Sequence, residues 1–187
     1  AAAALRALGA QVPQATGPEE VEGVGKRSAE GSGVDWSDLA SLGRAPTLRL
    51  ETERGTVVIR LLPEEAPYTV QAVARLAREG AYDGTWFHRV VPNFVAQGGD
   101  IASGDGFGNP GFTLPSEFTR LAFGEGVVGM ASAGKDTESS QFFITHSAQP
   151  HLDGAYTAFG WVEEGMDVVG RLMLGDRILK ATVARGR

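Results

Sequence analysis

The chain has 187 residues, 42% of them hydrophobic and 21% charged, with 17 Lys and Arg against 23 Asp and Glu for a formal net charge of −6. These proportions suit one soluble globular domain, and the acidic balance speaks against a nucleic-acid partner, whose phosphates need clustered cations. The absence of cysteine excludes disulfides, thiol catalysis and Cys-based metal sites, and no apolar run approaches the roughly 18 residues needed to cross a bilayer.

Ala1–Leu8 (AAAALRAL) has high helix propensity, and Gly9 offers a C-cap. So short a helix is marginal alone, so residues 1–10 read as the remnant of an upstream helical segment. The chain starts without Met, and Ala1–Ala10 lacks the basic-then-apolar layout of a secretion signal. The sequence therefore reads as a piece of a longer precursor. Residues 11–46 read as a linker, rich in Gly, Pro, Glu and Ser up to Gly33. A candidate packed helical turn lies at 34–42, where Val34, Trp36, Leu39 and Leu42 return; Trp36 is expected to pack on the domain.

The globular pattern begins at Thr47 and runs to Arg187. TLRLETE alternates apolar and polar residues, Arg54-Gly55 makes a turn, and TVVIRLL returns as a second strand. Pro67 suits a first helical turn, Val70, Val73, Leu76 and Ala77 follow at helical spacing, and Gly80 ends the helix. Short strands are expected at Thr85–Val90, Phe94–Gln97, Gly126–Ala131, Gln141–Thr145 and Ala158–Trp161. A second helix is expected near Met166–Leu172 and a closing strand at Ile178–Ala184. Two helices among many short strands and Gly-rich turns predict a mostly β fold, a barrel capped by helices.

Two strings hold most of the information: FHRVVPNFVAQGGD at Phe87–Asp100, and GVVGMASAGKDTESSQFFITHSAQPHLDGAYTAFG at Gly126–Gly160. Together they place an arginine, glutamines and several apolar residues within reach of one small pocket. They closely resemble the cyclophilins, peptidyl-prolyl cis/trans isomerases inhibited by cyclosporin, and the resemblance runs from about Thr47 to Ala184. It implies an eight-stranded antiparallel closed β-barrel with a helix over each end, and isomerisation of X-Pro bonds in peptides and unfolded proteins. It implies no cofactor and no metal, a monomer, and neither nucleic acid nor membrane as partner. As a bacterial-type member the chain would work in a cytoplasm or a periplasm, which the sequence does not distinguish.

An X-Pro bond rotates over a barrier of about 20 kcal/mol because its amide is conjugated. In the twisted state the nitrogen regains a lone pair, so a donor aimed at it favours that state over either planar one. Arg89 matches the family's catalytic arginine. Phe94, Val95, Phe143 and Leu152 fall on its pocket positions, with Met130 in the wall; ordinary barrel core is the alternative reading of these residues. Gln97 matches the glutamine that bonds the substrate backbone, and Gln141 a second glutamine along the groove. Ala131 and Ser132 match the strand that pairs with an extended peptide.

This chain departs from the family at several substrate-binding positions. Val95 replaces a common methionine and Ser132 a frequent asparagine. His151 stands where many eukaryotic members carry tryptophan, and Tyr156 where a histidine is usual. Without the indole donor, cyclosporin is expected to bind only weakly.

Other motifs fail on context. Gly106–Gly111 satisfies G-x-G-x-x-G, but Pro110 and the lack of a following helix break the dinucleotide setting. His88, His146 and His151 lack metal spacing, and His88 reads as a hydrogen-bonded structural histidine. Ser139 and Ser140 have no nucleophile elbow. The competing class is a non-catalytic proline-peptide-binding module within a larger helical scaffold. Retention of Arg89 beside Gln97 and Phe143 favours the enzyme, since binding alone does not need that cation.

Overall fold

A computed structural model of the protein describes residues 33–186, so the expected Ala1–Leu8 helix and most of the linker lie outside the described residues. The first element is a short helix, α1, Trp36–Ser41, capped by Asp35, whose carboxylate accepts from Ser37 N and Asp38 N. It docks through Leu39 and Leu42, which are buried, whereas Trp36 is 67% exposed. The expectation that Trp36 packs on the domain is therefore corrected. Trp36 shares the side of the helix that carries Leu39, but as the first helical residue it lines a shallow surface hollow with Leu39, Ala40 and Pro63 instead of entering the core.

β1 (Thr47–Thr52) and β2 (Gly55–Leu61) form a hairpin in which Leu48 and Leu50 pair with Ile59 and Val57. Helix α2 (Pro67–Arg78) begins with Pro at its first turn and buries Val70, Val73, Ala74, Leu76 and Ala77. Its N-cap, Ala66, offers no side-chain acceptor. Glu117, distant in sequence, fills that role and accepts from Tyr68 N at 3.0 Å and Thr69 N at 2.9 Å, a carboxylate at the positive end of the helix dipole.

The remaining strands are β3 (Arg89–Val91), β4 (Val95–Gly98), β5 (Val127–Met130), β6 (Phe142–Thr145), β7 (Ala158–Glu164) and β8 (Ile178–Ala184). All eight belong to one sheet in the order β3-β4-β6-β5-β7-β2-β1-β8, and the pairs are antiparallel. A closing helix, α3, covers only Met166–Val169, shorter than the expected Met166–Leu172 because Gly170 ends it. α2 lies against β8 and α3 against β2.

The ladder is open between β3 and β8, so the eight strands form a curled sheet and not the closed barrel of the sequence reading. The expected Thr85–Val90 strand divides at His88. Before that point the backbone bonds to the segment leading into β8, with Phe87 N on Asp176 O at 2.9 Å, Ile178 N on Thr85 O at 2.8 Å, and a single bridge joining Trp86 and Arg177. After it, Arg89–Val91 pairs with β4. Inside the curl lies one apolar core that includes Leu48, Leu50, Val57, Ile59, Phe142 and Phe159.

Candidate active site

The site is built on the outer face of the sheet. Strand residues alternate between faces, and β6 reads Phe142, Phe143, Ile144. Phe142 and Ile144 join the interior core, while Phe143 joins a second apolar cluster outside it with Val95, Phe123, Val127, Leu152 and Ala158. Gly129 makes room for this cluster. A Cβ there would lie 2.6 Å from Phe143 Cζ and 2.7 Å from Phe123 Cε1, so only glycine lets both rings settle on β5.

The β3–β4 hairpin turns at Pro92-Asn93, with Asn93 in the left-handed region at φ 58°. That turn puts Arg89 and Gln97 on the same outer face as Phe143. The result is a pocket of about 200 Å³ lined by Arg89, Phe94, Val95, Gln97, Ala131, Ser132, Phe143, Leu152 and Tyr156. Phe143 meets Tyr156 edge-on, with centroids 5.6 Å apart, and Phe123 at 5.5 Å. Arg89 is exposed at the mouth and its Nη1 donates to Gln97 Oε1 at 3.3 Å. Gln97 Nε2 in turn donates to Gln141 Oε1 at 3.2 Å.

Nine of the twelve residues named from the sequence thus come together around one cavity. Met130 does not. It pairs with Phe142, shares its inward direction and is wholly buried in the main core, so its expected place in the pocket wall is corrected. His151 is exposed and stands outside the lining, yet it stacks on Phe94 with centroids 5.5 Å apart. Gln141 lies behind Gln97 and lines an adjoining groove with Gly106, Phe107 and Thr137. Ala131 N donates to Gln141 O at 2.9 Å, so that amide is not available to a peptide.

His88 lies under the site, buried, and among the described residues neither ring nitrogen has a hydrogen-bond partner, contrary to the hydrogen-bonded histidine expected from the sequence. Gln141 is close to the ring, but its amide is engaged by Gln97 and by the Gly106 carbonyl. Burial pushes His88 below the usual imidazole range, against the opposing pull of Asp100 and Asp105. The sequence reading also missed Gly129 and Phe123. A glycine inside the apolar run Val127–Met130 was the available signal for the first; Phe123, on a loop, gave none.

The residues of this cavity fall within the span, 47–183, that matches the family model for cyclophilin type peptidyl-prolyl cis-trans isomerases. A curated peptidyl-prolyl cis-trans isomerase of Synechococcus elongatus is 46% identical over 136 residues, which cover 72% of this chain and 93% of that protein. Among solved structures, a cyclophilin type peptidyl-prolyl cis-trans isomerase of Cryptosporidium parvum aligns with a TM-score of 0.71 at 26% identity, over 76% of this chain and 99% of that one. The same protein crystallised in the presence of the dipeptide Ala-Pro aligns with a TM-score of 0.68 at 28% identity, over 75% and 99% of the two chains.

Proposed function

The chain belongs to the cyclophilin-type peptidyl-prolyl cis-trans isomerases, and from that premise we propose that it accelerates rotation about X-Pro bonds in peptides and unfolded proteins at the Arg89 pocket. One observation carries this reading. A guanidinium with a fixed acceptor at its back, Gln97 Oε1, stands at the mouth of an apolar cavity of about 200 Å³ walled by Phe94, Val95, Phe143 and Leu152. A cavity of that size and polarity suits a pyrrolidine ring. Burying the ring fixes one side of the X-Pro bond, and the guanidinium donates to the imide nitrogen as conjugation is lost.

Arginine serves here because it stays charged and offers several donors in a rigid fork. Gln97 can engage one while others face the substrate. No proton changes hands and no covalent intermediate forms, so the pocket needs neither a base nor a nucleophile. The peptide backbone lies along Ala131–Ser132 and the Gln97 amide, Tyr156 closes the far wall, and His151 supports Phe94 from outside. Because Ala131 N–H is engaged, the peptide must use other groups on that edge.

The activity resides in residues 47–187, with α1 as an appended turn, in a monomer that holds cyclosporin weakly. The curled sheet works as a barrel whose seam is made by residues 84–87 and 175–178, a role that their mutual backbone bonds support. A protease-coupled assay on a proline tetrapeptide tests the function. Isomerisation above the spontaneous rate is expected, and a rate no faster than the peptide alone overturns the reading.

A further inference from the structure

Behind Gln97 and Gln141 lies a loop organised by one buried carboxylate. Asp100, 3% exposed, accepts from Ala102 N at 3.0 Å and Ser103 N at 3.3 Å through Oδ1. Its Oδ2 accepts from Gly106 N at 2.9 Å, Gly108 N at 3.3 Å and Ser103 Oγ at 3.1 Å. Burial raises the Asp100 pKa, but the backbone donors of Ala102, Gly106 and Ser103 outweigh it and hold the carboxyl below the usual range. Residues 102–108 are therefore folded around a fixed negative charge.

The loop rests on the site through Gly106. This residue has φ +90°, and a Cβ there would lie 2.7 Å from His88 Cδ2, so its height above the sheet is tightly set. Its carbonyl accepts from Gln141 Nε2 at 3.2 Å. A relay follows: Gln141 Oε1 accepts from Gln97 Nε2, and Gln97 Oε1 accepts from Arg89 Nη1.

The direction of this relay needs a cause, because a glutamine amide presents either oxygen or nitrogen on a half-turn. A backbone carbonyl can only accept. With Gly106 O in place, Gln141 must turn its nitrogen to the loop and its oxygen to Gln97. Gln97 must then turn its nitrogen to Gln141 and its oxygen to Arg89. The guanidinium can only donate, so Arg89 favours the same polarity from the other end. Without Gly106 O the Gln141 amide loses its fixed acceptor, and the relay is held from Arg89 alone instead of from both ends.

We propose that Asp100 is a positioning residue for the isomerisation: by holding the Gly106 carbonyl in place, it fixes the orientation of both glutamine amides and so the seating of Arg89. This rests on the assignment of Arg89 as the donor to the imide nitrogen. Asp100 touches no substrate and acts only through the relay.

The test is a double-mutant cycle on the full chain with Asp100→Asn and Gln141→Met, read as kcat and peptide affinity for a proline tetrapeptide, with the Gln97 side-chain amide followed by NMR. Asp100→Asn should lower kcat by about tenfold with a smaller loss of peptide affinity through the Gln97 amide, since misplacing a reacting group costs rate. The Gln97 amide resonances should move, and in the Gln141→Met background Asp100→Asn should cost almost nothing more. Losses that multiply in the double variant, or unmoved Gln97 resonances, overturn the proposal. Should Asp100→Asn fail to fold, Gly106→Ala displaces the same carbonyl, and parental kcat in a folded Gly106→Ala protein overturns it equally. A parent chain without isomerase activity would instead sink the functional reading.

Discussion

The guanidinium carbon of Arg89 stands 5.3 Å from the centroid of the Phe94 ring. The pocket's cation is thus held from two directions, by the Gln97 oxygen and by an aromatic face that attracts positive charge. On the proposed function, the ring that would line the proline slot would also aim the group that acts on the imide nitrogen, and so would couple binding geometry to rate.

Arg89→Ala should lower kcat/KM by about a hundredfold, the usual cost of removing one well-aimed donor from a transition state. Affinity for a ground-state proline peptide should change far less. Arg89→Lys restores charge but lacks the fork that engages Gln97 and the substrate together, so it should recover only a minor part of the rate. Parental rates in a folded Arg89→Ala protein would remove Arg89 from the mechanism.

Because His151 stacks on Phe94 at the edge of the pocket, it occupies the place from which an indole could reach a large cyclic ligand. His151→Trp should tighten cyclosporin binding by about 1 kcal/mol, the worth of one good hydrogen bond, while leaving turnover of short peptides nearly unchanged. Calorimetric titration of both proteins checks this. Equal affinities would show that position 151 does not meet the inhibitor.

Buried His88 and partly buried His146 give stability a defined dependence on pH. Burial lowers both pKa values below 6.5, opposed by the Asp100 and Asp105 charges at His88 and by a Val91 backbone contact at His146. The unfolded chain then binds protons at higher pH than the folded one. Their contribution is fully present above about pH 6.5 and is lost as the pH falls from there through the lowered folded values, at no more than about 1.4 kcal/mol per pH unit for each histidine. The melting midpoint should therefore fall between about pH 7.5 and pH 5. His88→Leu should flatten part of that fall, and an unchanged slope would exclude His88 as a source.

Removal of α1 separates stability from activity. A chain beginning at Thr47 loses Leu39 and Leu42, both buried, and the Arg78–Asp38 ion pair at 2.8 Å. The lost apolar burial is about 2–4 kcal/mol, or a drop near 10 °C in Tm for a domain of this size. A chain beginning at Gly33 should melt as the parent does. Both should isomerise at the parental rate, since the pocket is built from β3–β6 and residues 121–156, whereas α1 is held to Gln71 and Arg78 of α2. Loss of activity in the Gly33 chain would place part of the enzyme in the preceding residues.

Much of this architecture is legible in the sequence. Alternation marks β1 and β2, helical spacing marks α2, and the Phe87–Asp100 string contains Arg89 and Gln97 at the distance a tight hairpin needs. Those features are local: each depends on residues a few positions apart and on turn chemistry, at Pro92-Asn93 and at Glu53-Arg54, one residue before the expected Arg54-Gly55 turn. What the sequence leaves open is the assignment of faces. GVVGMA and QFFIT are apolar on both sides, so period-two alternation separates Val128 and Met130 from Val127 and Ala131 without saying which pair is interior. Tertiary structure decided that Met130 goes in with Phe142 while Phe143 stays out on Gly129. It also decided the change of backbone partner at His88, the open ladder, the capping of α2 by Glu117, and the attachment of the Asp100 loop to Gln141. All of these join segments far apart along the chain, where no spacing rule operates and only closure of the sheet brings the partners within reach.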